Sequence, residues 1–599
     1  MTSPRGSRAL RALLAGGVAA ALGVAGLGAS TAQATQPKSF DLTVLGTSDT
    51  HGNVLDWDYY RDAVFNDGTP TRATNVVGLA TIATMVSDIR HEVGRSHTLV
   101  LDAGDTIQGT PLATYYAKQE PITETGEVHP MARAMNLIDY DAVTLGNHEF
   151  NYGIPLLQQW TASLDFPALA ANAIDEKTGK PAFTPYTIKT YRAPGEGRPI
   201  KVGILGLTNP GIAIWDRGNV EGKMSFPGMV ETAKKWVPVM KKAGADVVIV
   251  SAHGGDSGLS SYGPELPNEN PAAQIAQQVP GIDAILFGHA HNEVPQRFVT
   301  NTVTGKQVLL SEPSKWGQRL TRMDLHLVRS GNNWSVATSR STTLNSNTYA
   351  QDKRVVDAVE PQHEKTVAYV NQVVATSTEE LSAAESRYKD TPILDYINKV
   401  QTDTVDQALG GGPMADVPVL SIAAPFSRTA VFPAGDVKIK DVAGLYIYDN
   451  TLEAVEMNGA EIKAYLEYSA KYFVQHAAGD TVTPDNVSDN AVPDYNYDTM
   501  SGVDYQIDIS QPVGSRIVNL THPDGTPVAA GDRFVVAINN YRRSGGGNFP
   551  GLPRTQVYNE QQEIRQLLID WAQAKGQIDP ADFYDENWEL VRGGTPVFP

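Results

Sequence analysis

Between Phe40 and about Asn292 the chain alternates short apolar runs with polar loops and with stretches of helical period. The runs are Leu42–Leu45, Thr98–Leu101, Ala142–Leu145, Val202–Leu207, Val247–Val250 and Ala284–Phe287, with helical patterns such as Val76–Val93 and Met229–Ala243 between them. This alternation predicts an α/β domain whose sheets are covered by helices. Val308–Leu310 and Arg322–Leu327 read as additional strands. A polar stretch from Asp352 to Val373 predicts a linker helix interrupted by Pro361. Beyond it, strands at Val417–Ile422, Tyr505–Ile509 and Phe534–Ile538 mix with helices at Gly459–Tyr472 and Gln561–Lys575, with frequent Gly, Pro and Asn turns. That texture predicts a second, α+β domain. The expected bounds are 35–350 for the first domain, 351–375 for the linker and 376–599 for the second.

The N-terminus changes the picture. Arg5, Arg8 and Arg11 precede an unbroken run of small and apolar residues from Ala12 to Ala29, followed by Ala32-Gln33-Ala34. This is the layout of a secretory signal cleaved after Ala34. The expectation is an exported protein, secreted or periplasmic, with no stable membrane insertion once the signal is removed. There are no cysteines. Disulfides, zinc–thiolate sites and thiol nucleophiles are therefore excluded, and any metal must be held by His, carboxylate or amide. Asp and Glu number 67 against 48 Lys and Arg, a net charge of −19. Such a field repels polyanions, so nucleic acid polymers are not expected partners. A small anionic substrate remains compatible where cations are focused locally.

The chemical signal lies just beyond the strands. Thr47-Ser48-Asp49-Thr50-His51, Ala103-Gly104-Asp105, Gly146-Asn147-His148, Ser251-Ala252-His253 and Gly288-His289-Ala290-His291 each come directly after an apolar run. Each supplies a small residue or two and then metal-capable side chains. In α/β sheets, sites form beyond the carboxyl ends of strands. A lone histidine there is more often structural than a ligand, but five of the chain's 12 histidines share this placement. Seven candidate ligands (Asp49, His51, Asp105, Asn147, His253, His289 and His291) are too many for one tetrahedral ion and suit two. Asp105 is the natural bridge. If the backbone stays extended, period-two alternation puts Asp49 with His51, and His289 with His291, on one side.

These segments resemble the calcineurin-like metallophosphoesterases, and more narrowly the 5′-nucleotidase family, through the early D-x-H and the block Gly146-Asn147-His148-Glu149-Phe150-Asn151. The stretches at 57–62, 104–113, 146–153, 502–508 and 539–542 resemble its bacterial 2′,3′-cyclic-nucleotide 2′-phosphodiesterase/3′-nucleotidase branch. The resemblance covers nearly the whole mature chain. It implies a metallophosphoesterase domain with a β-sandwich core covered by helices, a C-terminal nucleoside-binding domain, and two divalent ions (Zn, Mn, Co or Fe). It implies that Asp49, His51 and His291 hold one ion and Asn147, His253 and His289 the other, with Asp105 bridging. His148 is then the catalytic histidine. Asn151 stands where 5′-nucleotidases commonly have Asp; it can orient His148 but carries no charge.

The resemblance further implies that the second domain reads a small-molecule nucleotide. Tyr448 and Tyr541 match the positions that stack on the base, with Tyr446 as the rival two residues from Tyr448 on one strand face. Arg428 matches a phosphate- or substrate-contacting arginine. Gly546, in the Gly545–Gly547 run, would let backbone approach the ligand. The implied activity is hydrolysis of 2′,3′-cyclic nucleotides to 3′-nucleotides, and of these to nucleoside and phosphate. The alternatives are a 5′-nucleotidase or nucleotide-sugar hydrolase, and a non-catalytic nucleotide-binding surface protein.

Overall fold

A computed structural model of the chain describes residues 38–66 and 76–599, apart from Leu259, Gly263, Glu265, Asp449, Asn490, Pro553, Pro599 and the side chain of Gln561. The leader expected over residues 1–34 lies outside the described residues. Among the described residues, no helix is long and apolar enough to cross a membrane.

The apolar runs are the cores of longer strands. The first domain begins with β1 (Ser39–Thr47), α1 (Leu79–Val93), β2 (Thr98–Asp102), α2 (Pro130–Ile138), β3 (Ala142–Thr144), α3 (Ile154–Ala162) and β4 (Ala168–Leu169). It continues through β5 (Tyr186–Tyr191), β6 (Ile200–Leu207), α4 (Met229–Lys242), β7 (Val247–Ala252), α5 (Ala272–Gln278) and β8 (Ala284–Phe287). Four long strands close it: β9 (Glu293–Thr300), β10 (Gln307–Pro313), β11 (Arg319–Ser330) and β12 (Asn333–Asn345). They form two six-stranded sheets, ordered β12-β11-β1-β2-β3-β4 and β9-β10-β8-β7-β6-β5. β1 to β4 are mutually parallel, as are β6, β7, β8 and β10.

The inner faces share one apolar core that includes Leu42, Val44, Leu99, Leu101, Ile204, Ile249, Leu286 and Met323. The outer face of the first sheet is covered by α1, α2 and α3, with Ile82, Met135 and Trp160 buried. The outer face of the second is covered by α4 and α5, with Met240 and Ile275 buried. Strands buried on both faces carry continuous apolar runs, and that is why the runs are legible in the sequence.

Pro361 does not interrupt the linker. α6 (Lys353–Val370) is continuous through it, with Asp352 capping its N-terminus by accepting from Arg354 N–H at 2.8 Å. The ring of Pro361 and the Asp357 turn it leaves unpaired both lie on the solvent face, where water can satisfy the freed carbonyl. Val355, Val359, Gln362, Thr366 and Val370 form the buried face, which packs on α2 and α1. The expected helical tail beyond Val370 is instead a strand, Val373–Ser377.

The second domain centres on a five-stranded sheet. That sheet and the helices packed on it are α7 (Pro392–Leu409), β13 (Val419–Ala423), β14 (Thr451–Asn458), α8 (Gly459–Ser469), β15 (Thr499–Ser501), β16 (Arg533–Asn539), β17 (Gln556–Glu563) and α9 (Ile564–Lys575). The sheet order is β15-β13-β16-β14-β17. Along β16, Val535 and Ala537 face the core beneath α7 and α9, while Phe534, Val536 and Ile538 face the core beneath α8. The predicted helix from Gln561 begins three residues later, because residues 556–563 pair as an edge strand with β14. The predicted helix Gly459–Tyr472 ends as α-helix at Ser469 and finishes in one tight turn, Ala470–Tyr472.

A proline in a helix interior removes a hydrogen bond. Pro361→Ala is therefore expected to raise stability by about 1–3 kcal/mol. The unfolding midpoint of the mature chain, read by calorimetry, checks this.

Candidate metal centre and adjoining cavity

The carboxyl ends of β1, β2 and β3 in one sheet and of β7 and β8 in the other meet at one edge, and all seven predicted ligands lie there. His51 Nε2 is 3.0 Å from His291 Nε2, and His291 Nε2 is 3.3 Å from Asp49 Oδ1. His253 Nε2 is 3.0 Å from Asp105 Oδ2 and 3.1 Å from Asn147 Oδ1. Asp105 Oδ2 is also 3.9 Å from His51 Nε2, so its carboxylate reaches both sides. Two groups emerge whose donor atoms lie within 4.8 Å of one another: Asp49, His51 and His291, and Asp105, His253 and His289.

The route to this cluster differs from strand alternation. β1 ends at Thr47 and β8 at Phe287, before the ligands. Asp49, His51, Asp105, His289 and His291 all have positive φ, between 46° and 78°. They converge because tight turns fold the backbone back. Such backbone conformations cost energy and persist where the surroundings impose them. Gly146 shows how tight the convergence is: a Cβ there would collide with Asp105 Oδ1 and lie 2.8 Å from His253 Nδ1.

The donor set fits divalent cations. It offers nitrogen and oxygen only, suited to ions that accept imidazole and carboxylate. Neighbours also fix which ring nitrogen is free. His51 Nδ1 faces Gln108 O at 3.1 Å and His253 Nδ1 faces Ala103 O at 2.9 Å, leaving Nε2 of each turned into the cluster. His289 is reversed: its Nε2 bonds Glu269 Oε1 at 2.7 Å, and its Nδ1 is the nitrogen left. Outer partners of this kind orient metal-ligating imidazoles.

The electrostatics agree. Burial penalises the charged carboxylates of Asp49 and Asp105, yet the histidines around them hold both below the usual range. Burial alone would lower His253, but Asp105 and Asp49 outweigh it and push it to about 10. For His51 burial dominates, taking it down to about 3.

His148 sits at the rim with 30% of its side chain exposed, 4.0 Å from Asp105 Oδ2. Its Nδ1 is 2.7 Å from Asn151 Oδ1, and Asn151 Nδ2 donates to Asp216 Oδ1 at 2.8 Å. Burial would lower the His148 imidazole; Asp105, the Asn151 hydrogen bond and Asp216 raise it above its ordinary value.

Sequence reasoning missed several partners. Glu149 accepts backbone N–H groups of Asp105, Thr106, Ile107 and Gly146, at 2.9, 2.5, 3.2 and 2.6 Å. It stands inside the Gly146–Asn151 block and could have been found there. Glu269, Asp216 and Trp215, which ends the short helix Ile212–Trp215 and stacks on His289 at 5.5 Å between centroids, belong to segments without a motif.

In the second domain, Arg428 and Tyr448 line one cavity of about 300 Å³ with Phe426, Tyr472, Asp494 and Tyr495. Tyr446 is buried at the end of the helix Ile439–Leu445 and is not part of that lining, and β14 starts only at Thr451. Arg428 is 51% exposed and paired in a fork with Asp494, at 2.6 and 2.8 Å. Its charge is thus already matched. Tyr541 is not part of that lining, but Tyr495, Tyr448 and Glu269 add to the burial that raises its phenol. At Gly546 a Cβ would lie 2.5 Å from the Tyr541 ring, so the glycine gives that ring its seat. The neighbouring Gly547 N–H and Asn548 Nδ2 both donate to Ser261 O of the first domain at 3.2 Å.

Comparison with known proteins places these features in a family. The calcineurin-like phosphoesterase profile matches residues 42–293 and the 5′-nucleotidase C-terminal domain profile matches residues 373–554. A protein of Salmonella typhimurium named 2′,3′-cyclic-nucleotide 2′-phosphodiesterase/3′-nucleotidase is 35% identical over 92% of this chain and 89% of its own length. The trifunctional nucleotide phosphoesterase protein YfkN of Bacillus subtilis is 33% identical over 92% of this chain, which spans 39% of that longer protein. The crystal structure of a 5′-nucleotidase precursor from Thermus thermophilus shares the fold, with a TM-score of 0.61 at 21% identity over 92% of this chain and 99% of that one. With 35% identity to the Salmonella protein over nearly its full length, the chain belongs to the calcineurin-like phosphoesterases that carry a 5′-nucleotidase C-terminal domain.

Proposed function

We propose that this chain is an exported phosphoesterase that hydrolyses 2′,3′-cyclic nucleotides to 3′-nucleotides and then 3′-nucleotides to nucleoside and phosphate. The observation that carries the reading is the meeting of seven nitrogen and oxygen donors with a rim histidine at one sheet edge. The 35% identity to the Salmonella protein of that name supports the substrate class. The basic, apolar, Ala-x-Ala leader supports export.

Asp49, His51 and His291 would hold one divalent cation, and Asn147, His253 and His289 a second, with Asp105 shared between them. Two such cations would draw charge from the phosphoryl oxygens and clamp an in-line displacement. The chain's own groups do the rest. Asp49 and Asp105 would supply the negative charge that holds cations in a buried pocket. Gln108 O, Ala103 O and Glu269 keep three imidazoles turned to present the correct nitrogen. His148, held at Nδ1 by Asn151, has Nε2 4.0 Å from Asp105 Oδ2 and would protonate the departing sugar oxygen. In the first step that oxygen is the 2′-oxygen; in the second, the 3′-oxygen.

Tyr448 and Tyr541 would take the base between their rings, with Tyr495 beside them. Ring stacking accepts any base, so broad base tolerance is expected. Arg428, already matched by Asp494, would act on substrate only by sharing or leaving that partner.

Phosphate release and product identity from 2′,3′-cAMP, 3′-AMP and 5′-AMP test the reading. The mature protein is expected to turn over the first two, to lose activity on chelation and to regain it with Mn or Zn. His148→Ala is expected to lower kcat by about 10²–10⁴-fold. Preference for 5′-AMP would overturn the substrate assignment. Tyr448→Ala is expected to raise KM for 3′-AMP by about 5- to 100-fold, the equivalent of one lost stacking contact, with kcat much less affected. Initial-rate kinetics with adenine and pyrimidine substrates check it.

A further inference from the structure

Asn151 faces His148 through a carboxamide, whose shape is the same whichever way its oxygen and nitrogen point. The two orientations have opposite consequences. With Oδ1 toward the ring, His148 Nδ1 carries a proton, and the doubly protonated imidazolium is also accommodated, because both its nitrogens are donors. With Nδ2 toward the ring, Nδ1 must accept, and the imidazolium meets a donor facing a donor. Nothing within Asn151 selects between them.

Asp216 does. Its Oδ1 accepts from Asn151 Nδ2 at 2.8 Å. It is 4% exposed, and its Oδ2 has no partner. Burial pushes its carboxyl up to about 7, against the opposing pull of the Asn151 amide and His148; in its ionised form it only accepts, so it claims the NH₂ and turns Oδ1 toward His148. Asn219, three residues on, donates to the backbone carbonyls of Phe150 and Asn151 at 3.0 Å each. The same short segment thus fixes both the backbone of the His148 turn and the orientation of its amide. Trp215, directly before Asp216, stacks on His289.

We infer that Asp216 is a positioning residue that sets the tautomer of His148 through the amide of Asn151, and so keeps the imidazole able to deliver a proton from Nε2. The inference rests on the reading of His148 as the proton donor to the leaving oxygen.

The test exploits the near-identical shape of Asn and Asp. Asp216→Asn offers Asn151 a donor as well as an acceptor, so the selection is lost while the volume is kept. Expected is a fall in kcat of about 10- to 100-fold with KM within about threefold, at unchanged thermal midpoint and metal content. In the double variant Asp216→Asn/Asn151→Asp an acceptor is placed directly on His148, and kcat should return to within about fivefold of the parent.

Rates are read on 3′-AMP and on bis(p-nitrophenyl) phosphate, so that a wrong nucleotide assignment does not hide the effect. The second readout does not need turnover: the ¹⁵N spectrum of histidine-labelled, metal-free protein at a pH where His148 is neutral, its line identified by loss in His148→Gln. The parent should show His148 protonated at Nδ1 and Asp216→Asn a shift toward Nε2. An unchanged ring spectrum in Asp216→Asn would overturn the inference. So would a loss of activity that the double variant does not rescue. Failure on nucleotides with the tautomer shift intact would overturn only the substrate reading.

Discussion

The buried carboxylate of Glu149 holds the ligand edge in place. It gathers the N–H groups of Asp105, Thr106 and Ile107 after β2 and of Gly146 after β3. The turn so fixed then holds the next one: Asp49, His51 and Gly52 donate their N–H groups to the carbonyls of Gly104, Asp105 and Thr106. Asp49 in turn accepts the N–H of His289, and Asp105 that of His148. One carboxylate therefore anchors, step by step, turns from four strands in two sheets. Burial and the nearby Asp105 push the Glu149 carboxyl up to about 7; in its ionised form such hydrogen bonds contribute about 1.5–3 kcal/mol each. The five ligands at positive φ cost on the order of 1–2 kcal/mol each. The two totals are of the same order, so the cradle can offset the strain that the ligand geometry demands.

Electrostatics gives that geometry its purpose. Asp49 and Asp105 are buried, yet kept ionised by the imidazoles around them. A buried carboxylate stays ionised where neighbouring charges or hydrogen bonds make up for the lost water. Ring nitrogens whose other side is occupied by a carbonyl or by Glu269 face inward toward them. This arrangement is costly for packing alone and suited to cations, with His148 left at the rim where a phosphoester could approach.

The second domain adjoins this edge through a few polar contacts. Ser261, whose N–H is held by Glu269, offers its carbonyl to the glycine loop of the second domain. Asn540 bonds the carbonyl of Trp215 at 3.2 Å. The loops that support His289 and His148 are thus the same loops that meet the aromatic region of Tyr541. Changes in how the domains meet would be felt first at Glu269 and Trp215, one residue removed from a ligand.

The sequence by itself determined the strands, the edge they share and the nitrogen and oxygen donors beyond them. Doubly buried parallel strands leave continuous apolar runs, and small residues followed by Asp, Asn or His mark where each run stops. It also marked Tyr448 and Arg428, which do share a cavity. It did not determine how the ligands converge. Alternation along an extended chain is the natural expectation for Asp49 with His51, and positive-φ turns are what occur, because backbone hydrogen bonds from neighbouring strands impose them. Nor could it place Asp216 behind Asn151, Glu269 behind His289, Asp494 on Arg428, or Gly546 under Tyr541. Each of those pairs joins residues separated in the chain or turned by a local bend. Their partnership is decided by packing between layers, which leaves no period in the sequence. The same holds for Pro361: only the packing of α6 on α2 shows that Pro361 and Asp357 lie on the exposed face, where the helix tolerates the proline.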